Sequence, residues 1–389
     1  MNDLLTRGIA NIIPNMKELE HALSSRHKLN IYMGIDPTAT RIHLGHAVPL
    51  RKLQEFARGG HNVTFLIGDF TALIGDTSDK DTERPVLTPE EIEKNFHTYK
   101  EQAGKILDFS LIRVVHNSEW LSKLTFAEIV KLCQHFSFGD FASRELIKKR
   151  LADGKHVGLH EALYPVMQGY DSYHLDTDVQ IGGADQTFNM QAGRILQEDL
   201  RGKNSFVIAT NYLTGTDGRK MSKSWGNAIW LDDTPQDMYR KVMAIDDKLI
   251  VEYLTLATNT KDAEIEKIEE KLAKGENPMN IKKMLAQKIV TELHNKDEAR
   301  IGQEEFERVV QSGEAPIDIP EFKIIKGKLI ENVLLESELV GSRAEIKRLV
   351  EQGGIEINGN KLTIESLKQK AIQNSIIKIG KHKFLKMIE

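Results

Sequence analysis

Cysteine is nearly absent: Cys133 is the only one in 389 residues. That excludes an internal disulfide and any metal site built from clustered cysteines. It fits a reducing, cytoplasmic setting. Long apolar runs are missing too, since no stretch approaches the ~20 residues that a membrane-spanning helix needs. The opening Met1-Asn2-Asp3-Leu4-Leu5-Thr6-Arg7 has an early acid and no long apolar stretch, so no secretory signal is expected. Internal repeats and low-complexity segments are also lacking. So is a dedicated carboxylate cluster of the kind that cages a divalent cation.

What is present is the composition of a soluble globular protein, 40% apolar and 28% charged. The chain is too long for one ordinary core, and two or three domains are expected. The net charge is −4, but it is unevenly spread. From Lys323 to Glu389 there are 13 Lys/Arg against 8 Asp/Glu, an excess of +5 that leaves −9 on the rest. A basic tail on an acidic body suits an appended RNA-binding module, and equally a solvated, lysine-rich surface.

The first half alternates strand and helix patterns. Strands are expected at 31–35, 62–68, 111–115, 178–183 and 205–209, with helices over 46–58 and 89–107. Thr88 and Glu91 form a capping-box signal for the second helix. Strands separated by helices imply βαβ units and a doubly wound parallel sheet, a Rossmann-like domain over 1–228. An aromatic-rich insertion near 118–155 interrupts it, holding Trp120, Phe126, Phe136, Phe138 and Phe141. Strand patterns vanish after Thr234, and helical periods at 235–243, 246–256, 262–273, 278–295 and 298–311 predict an all-α domain over 229–315. A Pro-bearing linker, Ala315 to Pro320, leads to a small α+β domain over 325–389. That domain is expected to have helices at 329–335 and 343–352, a strand with an Asn358-Gly359 turn, and a closing hairpin at 376–379 and 383–387.

Two motifs carry chemistry. His43-Leu44-Gly45-His46 follows the first strand and opens the first helix. Free N–H groups at a helix start attract phosphate, and two imidazoles three residues apart share a face. Gly218-Arg219-Lys220-Met221-Ser222-Lys223-Ser224 follows the last strand of the sheet domain. Two lysines among small hydroxyl residues form a cationic loop able to neutralise a pyrophosphate leaving group. Between them, Tyr164, Gln168 and Asp171 fall on one helical face. Their apolar neighbours Leu163, Val166, Met167 and Tyr170 argue that this stripe lines a cleft.

With both motifs intact, the chain resembles the class I aminoacyl-tRNA synthetases over essentially its whole length. The segments Leu163 to Asp171 and Gln180 to Gln186 look like the bacterial tyrosyl branch. The resemblance implies a catalytic domain, a helical anticodon-binding domain and a small RNA-binding domain. It implies that Tyr32 and Asp171 read a phenol, and that Asp76, Tyr164 and Gln168 hold an α-ammonium. Thr71 and Gln186 would add substrate contacts. Gly183 and Asp185 match a ribose-binding turn, and Met33 stands where some relatives carry a smaller polar residue. His43, Gly45 and His46 match the ATP-binding motif, and Thr38 a γ-phosphate contact. Lys220, Met221, Lys223 and Ser224 match the loop. Arg343, Lys347 and Arg348 share a helical face suited to RNA phosphates. The implied partners are ATP, with Mg²⁺ accompanying its triphosphate, L-tyrosine and tRNA(Tyr). A homodimer is implied, and neither a protein-bound metal nor a membrane is expected. The competing readings are a tryptophan-activating relative, a small-molecule nucleotidyltransferase and a non-catalytic RNA-binding paralogue. Asp171 with Tyr32, the complete lysine loop and the intact motif positions argue against these in turn.

Overall fold

The structure, a computed structural model, describes residues 2–25, 28–76, 87–312, 314–315, 319–325, 327–337, 339–380 and 383–388. The chain forms two compact units. One comprises Met1–Thr234 with Lys241–Lys296, the other Pro235–Arg240 with Asp297–Glu389.

Six strands organise the first unit: β1 (Ile9–Ile13), β2 (Asn30–Ile35), β3 (Asn62–Ile67), β4 (Ile112–His116), β5 (Val179–Gly183) and β6 (Phe206–Thr210). Their order is β1-β6-β5-β2-β3-β4. The strands β2 to β6 run parallel, as their apolar, doubly covered sequences demand. The edge strand β1 pairs antiparallel with β6 and was not expected. Its short, partly exposed Ile-Ala-Asn-Ile-Ile segment carries little strand signal.

Chain order reverses between β2 and β5. From β2 the chain moves outward to β3 and β4, and from β5 to β6 on the other side. Such a switch point leaves a crevice at the carboxyl ends of the two central strands. The helix Leu44–Arg58 links β2 to β3 and buries Leu44, Ala47, Val48, Leu50, Leu53, Phe56 and Ala57, a helical stripe facing the sheet. Pro89–Ala103 carries the expected capping box. Thr88 Oγ1 accepts from the Glu91 N–H at 3.2 Å, and Glu91 Oε2 accepts from the Thr88 N–H at 2.9 Å. The insertion consists of short helices, Ser118–Leu121, Phe126–Cys133, Phe138–Ser143 and Glu145–Ala152. The helix Leu159–His174 follows and leads into β5.

The helical segment forms near its expected bounds: Pro235–Met243, Ile250–Ala257, Asp262–Ala273, Pro278–Leu293 and Lys296–Phe306. Its expected separation from the sheet at 228/229 differs from the division into compact units. Arginines explain why. Arg51, on the helix after β2, donates to the Ala257 carbonyl and to Glu292, each at 2.8 Å. Arg7 donates to the carbonyls of Thr255 at 2.9 Å and Thr258 at 2.8 Å.

In the second unit, Ile330–Glu336 and Arg343–Glu351 pack on a sheet of β7 (Glu321–Lys323), β8 (Ile355–Ile357), β9 (Asn360–Lys361), β10 (Ile376–Ile379) and β11 (Lys383–Ile388). Val333, Leu334, Ile346, Ile355, Ile377 and Met387 form its core. Asn358 and Gly359 both adopt positive φ, +48° and +80°, as a tight primed turn requires. The strand β7 begins upstream of the expected boundary at 325. The middle of the proposed linker, residues 316–318, lies outside the described residues.

Candidate active site

A cavity of about 1130 Å³ occupies the switch point. At its deep end the central group is Asp171, 1% exposed on the helix Leu159–His174. Its Oδ1 accepts from Trp120 Nε1 at 2.7 Å, and its Oδ2 from Asn117 Nδ2 at 3.0 Å. Burial pushes this carboxyl up to about 8, against the two hydrogen bonds that favour its charge. Tyr32 points from β2, and its hydroxyl donates to Gln180 Oε1 at 3.2 Å. Burial, then the Asp171 charge, holds the Tyr32 phenol well above its ordinary value.

Asn117 is fully buried and its amide orientation is settled by its partners. Its Oδ1 accepts from the Phe70 N–H at 2.9 Å, so Nδ2 must donate to both Asp171 and Thr71. Thr71 in turn donates to Asp36 Oδ1 at 2.8 Å, and the Tyr164 hydroxyl donates to Asp36 Oδ2 at 2.9 Å. A continuous polar network therefore runs from Asp171 to Tyr164. Beside it, Asp76 Oδ2 accepts from Gln186 Nε2 at 2.7 Å. Glycine is required nearby. A Cβ at Gly193 would lie 2.6 Å from Gln180 Oε1 and 2.7 Å from Ser172 Cβ.

The shallow end carries the other chemistry. His43 caps the helix Leu44–Arg58, and its ring stacks on His46 with centroids 3.9 Å apart. His43 Nδ1 is buried with no hydrogen-bond partner among the described residues. Burial, then the charges of His46 and Lys220, press its pKa down to about 2, so the ring is neutral at physiological pH. A Cβ at Gly45 would come within 3.0 Å of His43 Nδ1, so the intervening glycine makes room for the imidazole. Lys220 lies 3.4 Å from Asp185 Oδ2 and over the Tyr212 ring at 4.1 Å. Asn227 shapes the loop. Its Nδ2 donates to the Lys220 carbonyl at 3.1 Å, and its Oδ1 accepts from the Ser222 N–H at 2.9 Å. Lys223 is exposed at the start of a single 3₁₀ turn.

Tyr32, Thr38, His43, Gly45, His46, Thr71, Asp76, Tyr164, Gln168, Asp171, Gly183, Asp185, Gln186, Lys220, Met221 and Lys223 all line this one cavity. Sixteen of the seventeen expected substrate-site residues are thus brought together; the Ser224 side chain lies outside those described. Comparison with known proteins gives the family. The family described as tRNA synthetases class I (W and Y) matches residues 24–311, and an S4 domain matches 330–370. A "Tyrosine--tRNA ligase" of Carboxydothermus hydrogenoformans is 40% identical over 99% of this chain and 97% of its own length. One from Thermotoga maritima is 39% identical over 99% and 96%. The chain belongs to the tyrosyl-tRNA synthetase family. Solved structures share the fold at lower identity. A mitochondrial tyrosyl-tRNA synthetase of Coccidioides posadasii superposes with a TM-score of 0.65 at 23% identity, covering 78% of this chain and 90% of that one. The Archaeoglobus fulgidus tyrosyl-tRNA synthetase gives 0.61 at 23%, covering 77% and 98%.

Within this tyrosyl-tRNA synthetase cleft, sequence reasoning missed Asp36, Asn117, Trp120 and Gln180 as site residues. Asp36, Asn117 and Gln180 are single polar residues on or beside strands, without periodicity to flag them. Position was the available signal. Asp36 and Asn117 directly follow β2 and β4, where a parallel sheet places its ligands. Tyr32 and Asp171, expected to act as a pair, each have other partners in the hydrogen-bond network. Met33 is buried and lines the cavity. In the other unit Arg343, Lys347 and Arg348 are all exposed on the helix Arg343–Glu351, with Arg343 3.7 Å from Glu331.

Proposed function

We propose that this cleft activates L-tyrosine with ATP to tyrosyl-adenylate and pyrophosphate, then passes the tyrosyl group to the 3′-terminal ribose of tRNA(Tyr). One observation carries the reading. A fully buried carboxyl, Asp171, held by Asn117 and Trp120, sits in the same cavity as His43, His46, Lys220 and Lys223.

Asp171 accepts the phenolic O–H of the substrate, and Tyr32 lies beside it. Phenylalanine would leave the spare acceptor capacity of the buried Asp171 carboxylate unmet, at a cost of about 1–3 kcal/mol. Asp76, Tyr164 and Gln168 hold the α-ammonium, with Thr71 and Gln186 supporting them. The tyrosine carboxylate then attacks the α-phosphorus and pyrophosphate leaves. No protein nucleophile takes part, so rate comes from positioning and from charge stabilisation. Neutral His43 offers an N–H donor without adding charge, alongside His46 and Thr38. Lys220 and Lys223, with Met221 and Ser224 in the same loop, meet the charge that grows on the leaving group. Gly183 and Asp185 bind the ribose, and Gly45 allows the nucleotide close to the backbone. Mg²⁺ enters as part of the nucleotide.

Arg343, Lys347 and Arg348 make phosphate contacts to tRNA. The helical segment over 229–315 binds the anticodon arm. Exposed Phe126 and Phe138, 81% and 64% accessible, suit a homodimer contact through the insertion. The lone cysteine suits the cytoplasm. The decisive experiment is amino-acid-dependent exchange of pyrophosphate into ATP with each of the twenty amino acids. Exchange driven by tyrosine alone is expected. Exchange driven best by tryptophan, or by none, would overturn the reading.

A further inference from the structure

The two nucleotide motifs are stitched together by backbone. Six residues beyond Ser224, the chain crosses the opening of the histidine motif. There the Leu44 N–H donates to the Ile229 carbonyl at 2.9 Å, and the Leu231 N–H donates to the Ile42 carbonyl at 2.8 Å. Trp230 stands between these bonds and is bridged directly to His43. Its ring lies 5.8 Å from the His43 ring at a 60° tilt, and His43 stacks on His46. The Arg41 guanidinium sits over the Trp230 ring at 4.8 Å. Arg41 is itself fixed. Its Nε donates to Asp232 at 2.7 Å and its Nη2 to Asp233 at 3.0 Å. Asp233 also receives the Trp230 N–H at 2.8 Å and Lys241 Nζ at 2.6 Å. Arg41, His43, His46 and Trp230 all line the cavity.

This arrangement solves a problem that His43 poses. With Nδ1 unpartnered, no described hydrogen bond at that atom fixes the angle of the ring about its Cβ–Cγ bond. Packing restrains it instead. His46 supplies one wall, and Trp230, weighted by the Arg41 guanidinium, supplies another. A flat aromatic edge restrains a neighbouring ring far better than a branched aliphatic chain does. We propose that Trp230, clamped by Arg41, is a positioning residue for the adenylation step: it sets the His43 imidazole toward the nucleotide and ties that setting to the segment leaving the lysine loop. The proposal rests on the nucleotide role given to His43 above.

A double-mutant cycle tests it, with single-turnover formation of tyrosyl-adenylate as the readout. Trp230→Leu is expected to slow the step about tenfold while the Kd for tyrosine stays within twofold. Trp230→Phe, which keeps a flat ring, should recover most of that loss. In a His43→Ala background the Trp230→Leu penalty should shrink to under twofold, because there is no ring left to orient. Arg41→Gln should give a smaller loss that also vanishes with His43→Ala. Equal penalties in the two backgrounds would overturn the clamp while leaving the nucleotide role of His43 standing. A His43→Ala enzyme that adenylates at full rate would remove that role, and the clamp with it. Loss of tyrosine affinity in step with rate would mark Trp230 as a general packing residue and defeat the proposal.

Discussion

The two ends of the cleft are built on opposite plans. At the deep end, Asp171, Asn117, Thr71, Tyr32 and Gln180 are nearly or wholly buried, and each meets a named hydrogen-bond partner. At the shallow end, Lys223 is exposed and His43 keeps an unpartnered ring nitrogen. On the proposed function, the difference separates recognition from catalysis. Recognition of one hydroxyl needs dipoles already fixed in place, with spare acceptor capacity that a wrong ligand leaves unmet. Stabilising a charge that exists only during reaction needs donors held ready in the resting state.

Mutations at the two ends should therefore fail differently, and the largest effect belongs at the shallow end. Lys223→Ala is expected to cut the single-turnover adenylation rate by about 10²–10³-fold with the Kd for tyrosine nearly unchanged. A matching loss of tyrosine affinity would erase the distinction. Asp171→Ala should do the reverse, raising the KM for tyrosine about 10²-fold and leaving the KM for ATP within threefold. Steady-state exchange kinetics with each substrate varied read both numbers.

Proton linkage sharpens the comparison further. A carboxyl raised to about 8 is mostly protonated at pH 6 to 7, and a phenol donor selects its ionised form. Tyrosine affinity without ATP should then rise about tenfold from pH 6 to pH 7 and level off above 8. Binding should release a proton, visible as a buffer-dependent heat in calorimetry. A flat profile would show that Asp171 receives the phenol in its protonated state. The smallest effect is expected away from the cleft. Combined Arg343→Ala, Lys347→Ala and Arg348→Ala should raise the KM for tRNA about tenfold and lessen its salt dependence, with pyrophosphate exchange unaltered.

The sequence already displayed much of this, for physical reasons. The histidine and lysine motifs are compact because each must deliver several groups from one turn of chain. The Tyr164, Gln168 and Asp171 stripe repeats with the helical period. Asn117 and Asp36 offered no such pattern, since a strand end contributes one side chain and then turns away. Nor could composition reveal that Arg7 and Arg51 would bind carbonyls and a carboxylate some two hundred residues on. The antiparallel strand β1 was hidden for a related reason. It is recognised by its pairing with β6, and its own pattern of burial is irregular.

That arginine stitching has a practical corollary for anyone trimming the gene. An expression fragment stopped near residue 228, where strand patterns give way to helices, would strip Arg51 of Ala257 and Glu292. It would leave a guanidinium designed for the interior facing nothing. The compact unit that holds Arg51 together with Ala257 and Glu292 runs on through Lys296, helices included.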